Sequence, residues 1–418
     1  MFLYRNSGSA LCLLILATVF YLAGCQKQAN EVSTSEFLKE HVEWLADDSR
    51  KGRLAGTIQE AEAANYISDR FSFYGLLPMV NMETYVQQFE LNGPITQLME
   101  VENHISRNIV GGVPGQVHPE RYIIIGAHYD GQGMGGLISM DSGGEPAIHN
   151  SADDNASGTA GLLWLASRFA ENPAKNTLIF IAFSGEELGL LGARYYVEEM
   201  DMPKDSVLAM INMDMIGRLS NGELNIFGTG TANIWDDLLD EVPADSLVIT
   251  RTPGGMGSSD HAAFYEADIP VLHYYTGTHD DYHRATDTAD KINYKGMEWV
   301  LTHVEQAIRL LDEKAPEEVE FRESTDPRGV TMRRDGVGLG VIPDYTWSGN
   351  GFRIETVREG NSAEEAGIID GDIIIRMEDR EISDIYDYMD LMSDVEEGDE
   401  MIVRILRGDE EIELTVVF

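Results

Sequence analysis

The 418-residue chain has two cysteines, and only 30 Lys+Arg stand against 72 Asp+Glu. Two cysteines cannot build a disulfide framework, and Cys12 lies inside an N-terminal apolar segment expected to be cleaved. The shortage of cationic side chains leaves a net charge of −42. Such a surface repels nucleic acid and anionic lipid and favours cationic ligands such as metal ions and amines. Plain solvation in a salty or extracellular setting is the competing reading. Long repeats and low-complexity tracts are also missing. The apolar run LCLLILATVFYLAG is too short to be trusted as a membrane span and reads as a signal-peptide core behind the early Arg5.

The residues that end this run are more specific. Leu22-Ala23-Gly24-Cys25 resembles the bacterial lipobox, which implies removal of residues 1–24 and lipid modification of Cys25; an ordinary secretory signal with an incidental cysteine is the alternative. Residues 25–35 then form a polar tether. Gln26 resembles the class sorted onward to an outer membrane. The chain is thus expected to be exported and lipid-anchored in a bacterial cell envelope, at the outer membrane or periplasmic face.

Beyond the tether, EFLKEHVEWLADD and IQEAEAANYISDRFSFYGL carry apolar residues at helical spacing. From Arg121 to Lys314, short apolar runs (RYIIIGA, NTLIFIAF, VLAMINM, IPVLHYY) alternate with helical stretches. This predicts an α/β fold with a mostly parallel central sheet flanked by helices over residues 36–314. The runs are continuous in Ile, Leu, Val and Phe, as strands covered on both faces require. A charged, turn-prone linker at 315–329 leads to a small α+β domain at 330–418 with the β runs FRIETV, DIIIRM, MIVRILR and EIELTVVF.

Every strong strand runs into a side chain able to bind metal. RYIIIGA leads to His128 and Asp130, NTLIFIAF to Glu186 and Glu187, VLAMINM to Asp214, and the last run to His279 and His283. The stretch IHNSADDNASGTAG adds Asp153 and Asp154 just before a helix. Taken singly, each has an ordinary explanation: a helix cap, a favourable interaction with a helix N-terminus, a surface imidazole. In an open parallel sheet, however, the carboxyl ends of the strands gather at one ligand-binding edge. Two His, two Asp and a Glu suit zinc, and neutral imidazoles argue against calcium or magnesium. Five protein ligands exceed one open zinc site but fit two zinc ions sharing a bridging carboxylate, with a spare acid as general base.

The motifs HYD, ADDNASG, FSGEELGLLGA, MINMDMIG, SSDHAAF and DYHRATDTADKIN, in that order, closely resemble the secreted di-zinc aminopeptidases, whose family also includes glutamate carboxypeptidase and glutaminyl cyclase. KGRLAGTIQEAEAANYI resembles the family's N-terminal stretch. The resemblance implies His128 as a terminal zinc ligand with Asp130 orienting its imidazole. It implies Asp154 as the bridging ligand, followed by a cis peptide bond to Asn155, and Glu187 as a terminal ligand beside the base Glu186. Asp214 and His283 complete the second metal's set. His279 is left without a ligand role and reads as solvent-facing. The chemistry implied is peptide hydrolysis at a free N-terminus. Glu186 takes a proton from a water activated between two zinc ions and returns it to the departing amine. Tyr282 resembles an oxyanion donor; the loop before SSDH, where other members place such a tyrosine, reads Gly254-Gly255-Met256-Gly257 here. Asp260 and His261 are expected to organise that loop. Other peptidase or cyclase chemistry on the same scaffold, and a catalytically dead peptide-binding lipoprotein, are the alternatives; a full ligand set and an intact Glu186 argue against both.

At the C-terminus, Gly338-Leu339-Gly340-Val341 followed by GNSAEEAGIIDGDIIIRMEDREI resembles bacterial PDZ modules. The resemblance implies a glycine loop that offers backbone N–H groups to a peptide's terminal carboxylate while the peptide adds a strand. A packing role competes evenly with peptide capture.

Overall fold

The computed structural model describes residues 33–418 except 80–81, 93–95, 97–102, 137, 142–145, 325–337, 344–346, 348–349, 358–359, 384, 393–394, 396–397 and 409. The expected signal peptide, Cys25, most of the tether and the last third of the linker lie outside these residues. Among those described, no helix is long and apolar enough to cross a membrane.

Two helices open the described residues. Helix α1 (Thr34–Leu45) starts on a capping box, in which the Ser33 hydroxyl accepts from the Glu36 amide and the Glu36 carboxylate accepts from the Ser33 amide. Helix α2 (Ile58–Tyr74) is capped by Thr57 and stopped by Gly75, whose φ of 84° belongs to the left-handed region. Between them the segment Asp48–Arg53 turns back toward the sheet with Lys51 and Gly52 both at positive φ. A Cβ at Gly52 would lie 2.3 Å from the carbonyl oxygen of His149, so only glycine lets the backbones approach this closely.

The eight-stranded sheet comprises β1 (Val86–Glu90), β2 (Ile105–Val113), β3 (His118–His128), β4 (Asn176–Phe183), β5 (Val207–Met213), β6 (Glu223–Phe227), β7 (Val248–Thr252) and β8 (Val271–Tyr275). Their order is β1-β2-β4-β3-β5-β8-β6-β7. The central four, β4-β3-β5-β8, are mutually parallel, while β2 joins β4, β1 joins β2 and β6 joins β8 antiparallel. The sheet is therefore mixed, with its parallel part in the middle, where the four apolar runs read from the sequence lie.

Side-chain alternation along each central strand feeds two cores. Ile123, Ile125 and Ala127 of β3, with Leu178, Phe180 and Ala182 of β4, pack in the larger core with α1, α2, α3 (Gly158–Glu171), α5 (Trp235–Glu241) and α7 (Tyr294–Leu311). Ile124, Ile179, Ile181 and Phe183 face the other way, against α4 (Leu191–Glu198) and α6 (His261–Tyr265). With both faces covered, the open space of the sheet is its carboxyl rim.

The first part of the linker docks on this domain. Phe321 forms an isolated bridge with Ala232, the Glu320 amide donates to the Asn233 side chain, and the Ser324 amide donates to the Tyr265 hydroxyl. The C-terminal domain has its own antiparallel sheet of β9 (Val341–Pro343), β10 (Phe352–Val357), β11 (Ile373–Met377), β12 (Arg380–Glu381), β13 (Glu400–Arg407) and β14 (Glu410–Val417). Its order is β14-β13-β11-β10-β9, with β12 paired to β11, and its core includes Leu339, Phe352, Ile354, Ile374, Val403 and Ile405.

Candidate metal centre at the sheet rim

Adjacent parallel strands bring the first ligands level. Gly126 of β3 pairs with Asn212 of β5, so His128 and Asp214 emerge side by side two residues later, with His128 Nε2 3.3 Å from an Asp214 oxygen. His128 also pairs with Phe183 at the end of β4, and the turn beyond it delivers Glu186, whose carboxylate lies 3.9 Å from His128 Nε2. On the other side, His283 Nε2 lies 3.6 Å from Glu187.

Asp154 stands between the two imidazoles. Its Oδ1 is 3.3 Å from His128 Nε2 and its Oδ2 is 3.2 Å from His283 Nε2. The irregular turn Ala152–Ser157 that carries it contains a cis peptide, Asp154–Asn155, as the resemblance implied. Asn155 then holds the turn against the β5 end, donating to the Met213 carbonyl and accepting from the Gly158 and Met215 amides. Two ligand-competent groups result, His128/Glu186/Asp214 and Asp154/Glu187/His283, each with its candidate atoms within 4.8 Å of one another. Asp214 falls with His128, and His283 with Glu187. The resemblance implies Asp214 and His283 in one set; the β3–β5 register, which the sequence does not display, brings Asp214 beside His128 instead.

The groups around these side chains fix their orientation. Asp130 approaches His128 Nδ1 at 3.6 Å and accepts from the Glu186 amide. Ser259 donates to Asp214 and itself receives a bond from Asn212, Gln132 donates to Glu187, and His283 Nδ1 lies 2.9 Å from the Ile138 carbonyl. Asp260 and His261 are buried beside this set with no hydrogen-bond partner on either side chain. The Tyr282 ring packs 3.9 Å from the His283 ring; burial, then the nearby Asp154 and Glu187 carboxylates, pushes its hydroxyl well above the ordinary range, so it remains a proton donor.

Several atoms look unsatisfied. Among the described residues, both ring nitrogens of His128 and one oxygen of Asp214 are buried without a hydrogen-bond partner, an arrangement that stable cores avoid. Burial, with Asp214, Asp260 and Glu187 adding to it against the pull of His128, drives the Glu186 carboxyl well above the usual carboxylate range. Burial and Asp154 push Glu187 up to about 8. Burial alone would raise Asp154 too, but the two imidazoles hold it below its ordinary value. Crowded carboxylates that resist ionisation, next to imidazole nitrogens without hydrogen-bond partners among the described residues, fit a site built for cations. The mixed N/O donor set matches zinc.

Sequence reasoning missed three contributors. His279 is not solvent-facing: its side chain is 11% exposed and its Nε2 lies 3.1 Å from Asp153. Asp287, four residues beyond His283, accepts from the amides of both Asp153 and Asp154; it lies inside the DYHRATDTADKIN motif, which was the available signal. Arg53 is fully buried beneath the rim, and a basic residue in a KGR turn gives no sign of that.

The comparisons agree with this geometry. Residues 108–308 match the profile of peptidase family M28, and residues 319–417 match that of the PDZ domain. Among curated proteins, the chain is 28% identical over 219 residues to aminopeptidase YwaD of Bacillus subtilis, covering 48% of this chain and 44% of that one. It is 39% identical over 109 residues to a probable zinc metalloprotease of Pyrenophora tritici-repentis, covering 26% and 24%. The chain thus spans less than half the length of these relatives. Among solved structures, the zinc aminopeptidase BSAP of Bacillus subtilis superposes with a TM-score of 0.54 at 18% identity, over 69% of this chain and 99% of that one. A Zn-dependent exopeptidase from Parabacteroides distasonis gives 0.56 at 16%, over 66% and 97%. These two likenesses concern the fold alone. Rim, motifs and profiles converge on one assignment: residues 108–308 form a peptidase family M28 region and residues 319–417 a PDZ domain.

Proposed function

We propose that the protein is an exported, lipid-anchored aminopeptidase that holds two zinc ions at the sheet rim and removes N-terminal residues from peptides. The observation that carries this reading is Asp154, whose two oxygens each face a different imidazole at 3.2–3.3 Å with a further acid on either side. A carboxylate so placed suits a bridge between two ions, with His128 and Asp214 serving one and Glu187 and His283 the other. Bound zinc would supply Lewis acidity, activating a water between the ions and polarising the scissile carbonyl.

The chain's own groups would do the rest. Glu186, raised by burial and its neighbouring acids, is left ionised once bound cations offset those acids, and it takes the water's proton and later hands it to the departing amine. Tyr282, kept protonated by its surroundings, donates to the oxygen on which charge develops. Asp130 and Ser259 fix His128 and Asp214 so that little reorganisation accompanies the step. The surplus of carboxylates at the rim favours a substrate that presents an ammonium group. The aminopeptidase names among the relatives point the same way.

The PDZ domain would add a peptide-binding groove. Leu339 is buried and Gly340 has a φ of 73°; a Cβ at Gly340 would lie 2.2 Å from the Asn361 side chain, so this one glycine shapes the Gly338–Val341 loop. That suits a loop presenting amides to a C-terminal carboxylate.

The test is release of free amino acids from aminoacyl reporters and their N-blocked counterparts, with zinc stripped and restored. Free N-termini should be cleaved only when zinc is present, and blocked ones should be spared. Equal turnover of blocked and free substrates would overturn the aminopeptidase reading.

A further inference from the structure

Arg53 is 0% exposed, and each of its hydrogen bonds ends on a neutral backbone carbonyl: Nε on Tyr129, Nη1 on Leu45 and Asn150, Nη2 on Ser151. Those four carbonyls are not scattered. Tyr129 sits between His128 and Asp130, Asn150 and Ser151 lead directly into Asp153 and Asp154, and Leu45 ends helix α1. The planar fork of a guanidinium can satisfy several acceptors in fixed directions at once, which an ammonium cannot. One side chain therefore ties the His128 strand end and the Asp154 turn to each other and to the N-terminal helix.

The backbone of the same turn repeats the connection. Gly131 donates to the Arg53 carbonyl and Gly133 to the Gly52 carbonyl, while His149 donates to the Gly133 carbonyl. Burying a guanidinium without a carboxylate in contact is costly. Burial pulls its pKa down to about 10, and the charges of Asp130, Asp287, Asp154 and Glu187 pull it back. The compensation for burying it thus comes from the acidic rim.

We infer that Arg53 is a positioning residue that keeps the His128 and Asp154 segments in metal-binding geometry before any ion arrives. This rests on the proposed zinc centre, and it concerns affinity and order rather than bond breaking.

The experiment compares zinc affinity, by chelator competition, in the full chain and in Arg53→Lys, Arg53→Met and Asn176→Ala. Asn176 is a buried control at the opposite end of β4, bonded to Asp312. Both Arg53 variants should bind zinc about 10–100-fold more weakly, as losing a partner behind a ligand typically does. Asn176→Ala should unfold at lower temperature with unchanged zinc affinity. In parallel, residue-resolved hydrogen exchange on zinc-stripped native protein should find the Gly131 and Gly133 amides still protected. Arg53→Lys binding zinc as tightly as the native chain, or free exchange at those two amides without zinc, would overturn the inference. The second measurement decides if the variants do not fold. Native protein that binds no zinc would remove the proposed centre and this role together, whereas native binding with unaffected variants removes this role only.

Discussion

Asp372 in the PDZ domain and Asp214 at the rim of the peptidase domain are both buried aspartates, 1% and 9% exposed. Asp372 accepts from Nε and Nη2 of Arg407 and from the Ile369 amide, so both its oxygens are matched by donors of this chain. Asp214 has one oxygen matched by Ser259, while the other faces His128 Nε2, itself without a hydrogen-bond partner. The first is a charge that completes a fold. The second keeps one oxygen without a donor among the described residues, on the side that faces His128. Burial is nearly the same in the two places; what separates structure from function is whether the hydrogen-bonding demand closes within the protein.

Four substitutions would break or sharpen that contrast. Glu186→Gln keeps the shape of the rim but loses the proton acceptor; turnover should fall on the order of 10³-fold while zinc content, read by elemental analysis, stays at the native level. Tyr282→Phe removes one donor to the developing oxyanion and should lower kcat about 10²-fold with little change in KM in steady-state assays. His279→Ala frees Asp153, the neighbour of Asp154, and chelator competition should find zinc held about 10-fold more weakly. Asp372→Asn should leave hydrolysis of short substrates unchanged and cost the PDZ domain roughly 1–3 kcal/mol in urea unfolding, Arg407 being partly exposed to water. If Asp372→Asn reduced turnover on short substrates, the division between the two buried aspartates would fail.

The same contrast explains what the sequence disclosed. The four central strands were legible because strands covered on both faces must be apolar throughout, and β4 reads NTLIFIAF without interruption. Strands β6 and β7, ELNIF and VITRT, are short, polar and near the sheet edge, where no such demand acts, and they went unseen. The candidate ligands His128, Glu187 and Asp214 stood out because each follows closely on a strong strand, and Asp154 because it sits in the ADDNASG motif. Their grouping was not, since it follows from β3–β5 register. His279 and Arg53 were hidden for a different reason: a histidine in a DD-rich loop and an arginine after Lys-Gly look solvent-exposed, and only the folded chain brings Asp153 to one and four carbonyls to the other.

Zinc stoichiometry is the most direct test of the central claim. Native protein, equilibrated with zinc and freed of excess, should retain two ions per chain by elemental analysis, and Asp154→Ala should lose its hold on both. A native chain that saturates at one ion, or an Asp154→Ala variant that still keeps two, would contradict the shared carboxylate on which the account rests.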